Sequence, residues 1–136
     1  MNKKVNKLIR YLIIRNGNVA IGYTDDFIRL MDDEYHYFFD SCDDLFDSYP
    51  DIRVFVKDES LFSEKPTVYY YDDQKLMTTF NGTVFFAKLG TTKVRSLSEK
   101  EVSFLLKNLN RRCDGCYEIS NVPALKKELS YYLPQD

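Results

Sequence analysis

The stretch Thr67–Leu89, TVYYYDDQKLMTTFNGTVFFAKL, decides how this chain folds. Thr67–Tyr71, Lys75–Phe80 and Thr83–Leu89 are rich in β-branched and aromatic residues, which suit a pleated, half-buried surface. Asp72-Asp73-Gln74 makes a turn between the first two. Between the last two stands Asn81-Gly82, the strongest two-residue hairpin signal, because both residues tolerate the positive φ of a primed turn. The three segments read together as an antiparallel meander.

Working outward, the same logic applies near the start. Leu8–Arg15 (LIRYLIIR) and Val19–Tyr23 (VAIGY) flank Asn16-Gly17-Asn18, a second hairpin. Ile52–Val56 (IRVFV) is a further short strand. Downstream, Ser98-Glu99-Lys100-Glu101 has the form of a capping box, followed by Val102, Leu105, Leu106 and Leu109 at helical spacing, so 99–110 reads as a helix. Asn121 then caps a last helix with Pro123 in its first turn and Leu125, Leu129, Tyr132 and Leu133 as its apolar stripe. The expectation is a single α+β domain across residues 1–136. Its antiparallel sheet has five to seven strands, with hairpins around Asn16-Gly17 and Asn81-Gly82, and the two C-terminal helices pack on one face.

The segment between the first hairpin and Ile52 supports two readings. Ile28, Met31, Tyr35, Phe38, Cys42, Leu45 and Tyr49 alternate in steps of three and four, as one long amphipathic helix would. The aromatic run Tyr35–Phe39 and the Asp- and Ser-rich stretch after it are poor helix formers. The favoured alternative is a strand at 26–31, a turn at Asp32-Asp33-Glu34, a strand at 35–39, and a short helix that begins at Ser41 and ends before Pro50.

Composition bounds the function. The chain has 136 residues, 44% of them hydrophobic and 29% charged, values of an ordinary globule rather than a disordered or collagen-like chain. No run is apolar enough for a membrane helix, and Arg10 interrupts the only apolar stretch that a signal peptide would need. Three cysteines, few and odd in number, fit a reducing cytoplasm. The residues favoured over Gly, Ala, Arg and Pro are those of AT-rich codons, as in a phage or mobile element of a low-GC bacterium. Net charge is −2, but the charges are segregated: five bases and no acid in 1–24, then ten acids and one base in 25–51.

Chemical motifs are few. Cys113-Asp114-Gly115-Cys116 has metal-ligand spacing, and a Cys₃His zinc site would draw its other ligands from Cys42 and His36. The preferred reading is plainer: Gly115 ends a helix and both cysteines are small residues in a turn. A redox role would place the first cysteine at a helix N-terminus, whereas this motif follows a helix. His36 reads as a packed strand residue, and the pairs Asp25/Asp26, Asp43/Asp44 and Asp72/Asp73 as solvated surface. Asn81-Gly82-Thr83 matches a glycosylation pattern but is better read as a turn. No catalytic residue and no cofactor is called for. The basic strip Lys3, Lys4, Lys7, Arg10 and Arg15 is too small to favour direct nucleic-acid binding.

What stands out is the acidic, aromatic-rich segment 25–51. Asp32, Asp33, Glu34, Asp40, Asp43, Asp44 and Asp47, with Tyr35 and Tyr37, form the expected partner-binding surface. Such a surface suits a non-enzymatic inhibitor or adaptor that occupies a basic, nucleic-acid-facing site on a partner protein. The alternative is a homo-oligomeric module that binds a small ligand.

Overall fold

A computed structural model describes residues 8–35, 39–42, 45–57, 65–90 and 93–121. The described residues form ten strands and two helices: β1 (Ile9–Arg15), β2 (Asn18–Thr24), α1 (Phe27–Tyr35), β3 (Phe39–Cys42), β4 (Ile52–Lys57), β5 (Pro66–Asp72), β6 (Lys75–Asn81), β7 (Val84–Leu89), β8 (Val94–Arg95), α2 (Glu99–Asn108), β9 (Asn110–Arg111) and β10 (Tyr117–Ser120). The α+β class and the largely antiparallel pairing agree with the sequence. The layout does not. The strands divide into two sheets, ordered β2-β1-β7-β4-β3 with β8 on the end of β7, and β6-β5-β10-β9. Among the described residues, no helix is long and apolar enough to cross a membrane.

The first hairpin is as expected. Arg15 pairs with Asn18, and the two loop residues Asn16 and Gly17 have φ of 54° and 80°, as a primed turn requires. The second tight hairpin lies at Asp73-Gln74, where Asp72 pairs with Lys75 and both loop residues have positive φ. Asn81-Gly82 is not a hairpin, which corrects the meander. β6 pairs only with β5, while β7 leaves for the other sheet and lies between β1 and β4. The cause is burial. Val84, Phe85, Phe86 and Ala87 are buried on both faces, so β7 needs a strand on either side and a layer above and below. Asn81 itself is 7% exposed, inside a corner rather than at a loop tip. Gly82, at φ 71°, turns that corner and donates its N–H to the Lys65 carbonyl at 3.0 Å.

Two cores follow from the alternation of β1, β4 and β7. Leu12, Ile14, Ile52, Val54, Val84 and Phe86 face the second sheet, meeting Val68, Tyr70, Phe80, Tyr117 and Ile119, with Val102 and Leu105 of α2 alongside. Tyr11, Ile13, Phe55, Phe85 and Ala87 point the other way and are covered by Phe27 and Met31 of α1. The layers run α1, first sheet, second sheet with α2.

The segment Phe27–Tyr35 is therefore helical, and the strand expected at 26–31 with a turn at 32–34 is wrong. Asp26 caps α1, its Oδ1 accepting the Arg29 N–H at 3.1 Å, while Thr24 Oγ1 accepts the Asp26 N–H at 3.2 Å. The buried stripe is Phe27 and Met31 with Leu30 beside them, while Ile28, assigned to the stripe by the three-four spacing, is 61% exposed. Ser41 lies within β3 rather than opening a helix, which rules out both the short helix there and the unbroken long one. Of the two C-terminal helices expected on one face, α2 matches 99–110 closely, with the capping box formed; the other described helix, α1, covers the opposite face of the first sheet. The helix expected after Asn121 lies outside the described residues. Asn121 itself bonds elsewhere, accepting the Asp47 N–H at 2.8 Å.

Two stability predictions arise here. A Cβ on Gly22 would overlap the Tyr11 ring, which lies across β2 while packing edge-on to Phe27 at 5.7 Å. Gly22→Ala is expected to cost about 1–2 kcal/mol through this overpacking, read as a lower urea midpoint. The second concerns Tyr70, whose hydroxyl donates to the Leu45 carbonyl. Burial first, then the charges of Asp72 and Asp47, push its pKa up to about 12. The unfolded phenol ionises near pH 10, so between pH 10 and 12 the unfolded chain binds fewer protons and stability falls as pH rises. Below pH 10 this contribution is complete. Urea midpoints across that window should fall more steeply for the wild type than for Tyr70→Phe.

Candidate functional site

The expected acidic surface is divided by the fold. Asp32 is exposed on α1, where Asp33, Glu34 and Tyr35 also lie. Asp40 and Cys42 fall on β3. His36, Tyr37, Asp43 and Asp44 lie outside the described residues. Asp47 belongs to the segment whose Leu45 and Phe46 enter the inner core, so it emerges on the other side of the first sheet from α1. There its carboxylate accepts the Asn121 side-chain N–H at 3.2 Å, and the same nitrogen donates to Asp72 at 3.3 Å. Asn121 thus ties the loop at Asp47 to Asp72 at the end of β5, bringing together two carboxylates distant in sequence.

On α1 the geometry is simple. Phe27 and Met31 hold one side of the helix down, so Ile28 and Asp32, four apart, share a side turned to solvent, and Asp25 lies exposed just before the Asp26 cap. Two exposed carboxylates, Asp25 and Asp32, thus flank one exposed aliphatic side chain in sequence. Arg29 pairs with Asp25 at 3.4 Å, but both side chains are well exposed, so the pair holds little energy.

The cysteine motif sits in the connection between β9 and β10. α2 ends at Asn108, and Gly115, at φ 90°, shapes a later turn rather than ending a helix as expected. Arg112 N–H donates to the Cys116 carbonyl at 2.7 Å and Gly115 N–H to the Arg112 carbonyl at 3.1 Å. Asp114 accepts the Cys116 backbone N–H at 3.0 Å. That bond, with the neighbouring Arg112, holds its carboxyl below the usual carboxylate range. Burial, helped by Asp114, pushes the Cys116 thiol up, the wrong direction for a nucleophilic thiolate. Its Sγ donates to the Pro66 carbonyl at 3.1 Å, and Cys113 is exposed. Among the described residues, no three of His, Cys, Asp and Glu gather as a metal site would require. Beside this turn, the tip of the first hairpin and the β6–β7 corner enclose a cleft of about 400 Å³ lined by Arg15, Lys65, Thr67, Thr83 and Cys116.

A larger hollow, about 490 Å³, was not anticipated from sequence. It is an open groove between β2 and α2, walled by Ile21, Tyr23, Val102 and Leu106, with Arg10 at its base. The Arg10 guanidinium lies 5.7 Å from the centre of the Tyr23 ring and donates to the Leu97 carbonyl at 3.4 Å. Val19, Ile21 and Tyr23 are apolar at every second position, and that alternation was the available signal. It marks a strand face, though not whether the face is covered. No family model, curated protein or solved structure matches this chain.

Proposed function

We propose that this chain is a non-enzymatic binding protein, an inhibitor or adaptor that presents the acidic surface at α1 to a basic site on a partner protein. The observation that supports it is that Ile28 and Asp32 are exposed on a helix whose other side is pinned by Phe27 and Met31, with the exposed Asp25 just before its cap. An exposed isoleucine between carboxylates supplies a desolvating centre, and the carboxylates steer approach to a basic surface. A groove built for phosphates would accept such a surface in place of nucleic acid.

The test is a double charge reversal, Asp25→Lys with Asp32→Lys. Both sites are exposed, so each change should shift stability by under about 0.5 kcal/mol. Association with the partner captured from the native host should slow by about tenfold or more at low salt. The wild-type complex should weaken as salt rises, and duplex DNA or RNA should displace it. A ternary complex in which nucleic acid and protein bind the partner without competing would sink the mimicry.

The polar cleft beside Arg15 and Lys65 favours a second reading, a module that holds a small anionic ligand. It predicts thermal stabilisation by a metabolite or nucleotide, about 2.7 kcal/mol at a hundredfold excess over Kd. A library that produces no shift would count against it.

A further inference from the structure

The free edge of β2 is built to pair with itself. In an antiparallel ladder, successive residues alternate between bonding the neighbour and pointing their N–H and C=O away from it. Arg10 settles the phase for β1. Its N–H goes to Ser96 Oγ at 2.9 Å and its C=O accepts from Leu97 N–H at 3.0 Å, both away from β2. Tyr23, opposite Arg10, therefore points its own N–H and C=O outward, and so do Ile21 and Val19, opposite Leu12 and Ile14. Among the described residues, no strand takes up these groups.

We infer that the chain forms a two-fold symmetric dimer in which β2 pairs antiparallel with β2 of a second copy, centred on Ile21. With Ile21 opposite its own equivalent, Val19 falls opposite Tyr23 and Tyr23 opposite Val19. Every outward-pointing residue then meets another, giving about six main-chain hydrogen bonds. A register centred on Ala20 or Gly22 also opposes outward-pointing residues, but only two such pairs fall within β2, giving about four bonds instead of six. The side chains agree with the backbone. Val19, Ile21 and Tyr23 all lie on the inner face, and each Val19–Tyr23 pair sets a β-branched residue against an aromatic one.

Three further observations select a second copy as the occupant. Asn18–Thr24 contains no Lys, Arg, Asp, Glu or Pro and pairs with β1 in unbroken register, so it has none of the usual devices that keep an edge strand from self-association. Ile21 is 43%, Tyr23 56% and Leu106 44% exposed, and all three line the one groove. Glu99 and Lys107 both line the groove wall, so this face carries both signs and a two-fold copy can meet either charge with its opposite. In the paired dimer Ile21 and Tyr23 of each groove lie at the β2–β2 junction, beside the other protomer. This inference does not depend on the acidic surface at α1.

The experiment is light scattering coupled to size exclusion on the full chain over a concentration series, with two variants. Wild type should run at twice the 16.1 kDa of one chain. Ile21→Lys places two like charges on the axis and should weaken the dimer by about a hundredfold or more, with an unchanged circular dichroism spectrum. Ile21→Cys should cross-link to its equivalent under mild oxidation, because directly opposed residues lie within disulfide reach, whereas Ala20→Cys, on the other face, should not. If Ile21→Lys fails to fold, the cross-linking pair decides the matter. A wild type that stays monomeric overturns the inference. So does a dimer that survives Ile21→Lys, or one in which Ile21→Cys does not cross-link.

Discussion

Phe27→Ala is expected to lower stability by about 3–5 kcal/mol, the range for removing a fully buried aromatic ring. The ring is 1% exposed and meets three others edge-on or nearly so: Phe55 at 5.2 Å, Phe85 at 5.6 Å and Tyr11 at 5.7 Å. Edge-to-face pairs add about 0.5–1.5 kcal/mol beyond burial, so truncation loses more than area. For a chain of this length the melting temperature should drop by about 10–20 °C. The loss should be local in character. α1 is held by Phe27 and Met31, and the core between the two sheets does not use either. Hydrogen exchange should therefore show α1 amides opening well before those of β4 and β7. A variant that lost protection evenly across both sheets would contradict the two-core description. Under the proposed function, in which Ile28 and Asp32 of α1 meet the partner, the same substitution should also weaken partner binding, and Phe27→Leu should restore much of both.

This helix is also where sequence reading fell short. The spacing from Ile28 to Tyr49 was genuinely periodic, but periodicity reports only that residues share a side, not which side is buried. Phe27, one position earlier, sits at the start of α1 and displaces Ile28 from the core because Phe55 and Phe85 already present rings to it. That preference lives in the first sheet and is invisible in the segment itself. The Asn81-Gly82 error has a similar origin. The dipeptide tolerates positive φ, and Gly82 uses it, but the same conformation serves a corner between sheets as well as a hairpin. What distinguishes the two is the demand of VFFA for burial on both faces, a long-range condition. Signals that are complete within a few residues were legible: Asn16-Gly17, Asp73-Gln74 and the Ser98–Glu101 box. The candidate site was half legible. Asp32, read as surface, is exposed on α1, while the β2–α2 groove needed the neighbouring layer to show that Ile21 and Tyr23 are left uncovered.

The Ser98–Glu101 box carries the second large effect, because one carboxylate serves two elements. Glu101 is 6% exposed, accepts the Ser98 N–H at 2.7 Å and lies 3.6 Å from Lys88 Nζ on β7. Its own N–H is bonded by Ser98 Oγ at 3.2 Å, so the first turn of α2 and the end of the central strand meet at this group. Glu101→Ala leaves one helix N–H without its acceptor, a loss of about 1 kcal/mol. It also leaves a half-buried ammonium without its counter-charge, which brings the expected total to about 2–3 kcal/mol. Glu101→Gln separates the two effects, since the amide oxygen still accepts from Ser98 while the charge is gone. It should fall between wild type and alanine. Adding Lys88→Met should then recover stability in the Glu101→Gln background but lose it in the wild type, because only the uncompensated ammonium is costly. If Lys88→Met acts the same way in both backgrounds, Lys88 and Glu101 are not energetically coupled, and α2 is held to the sheet by Val102 and Leu105 alone.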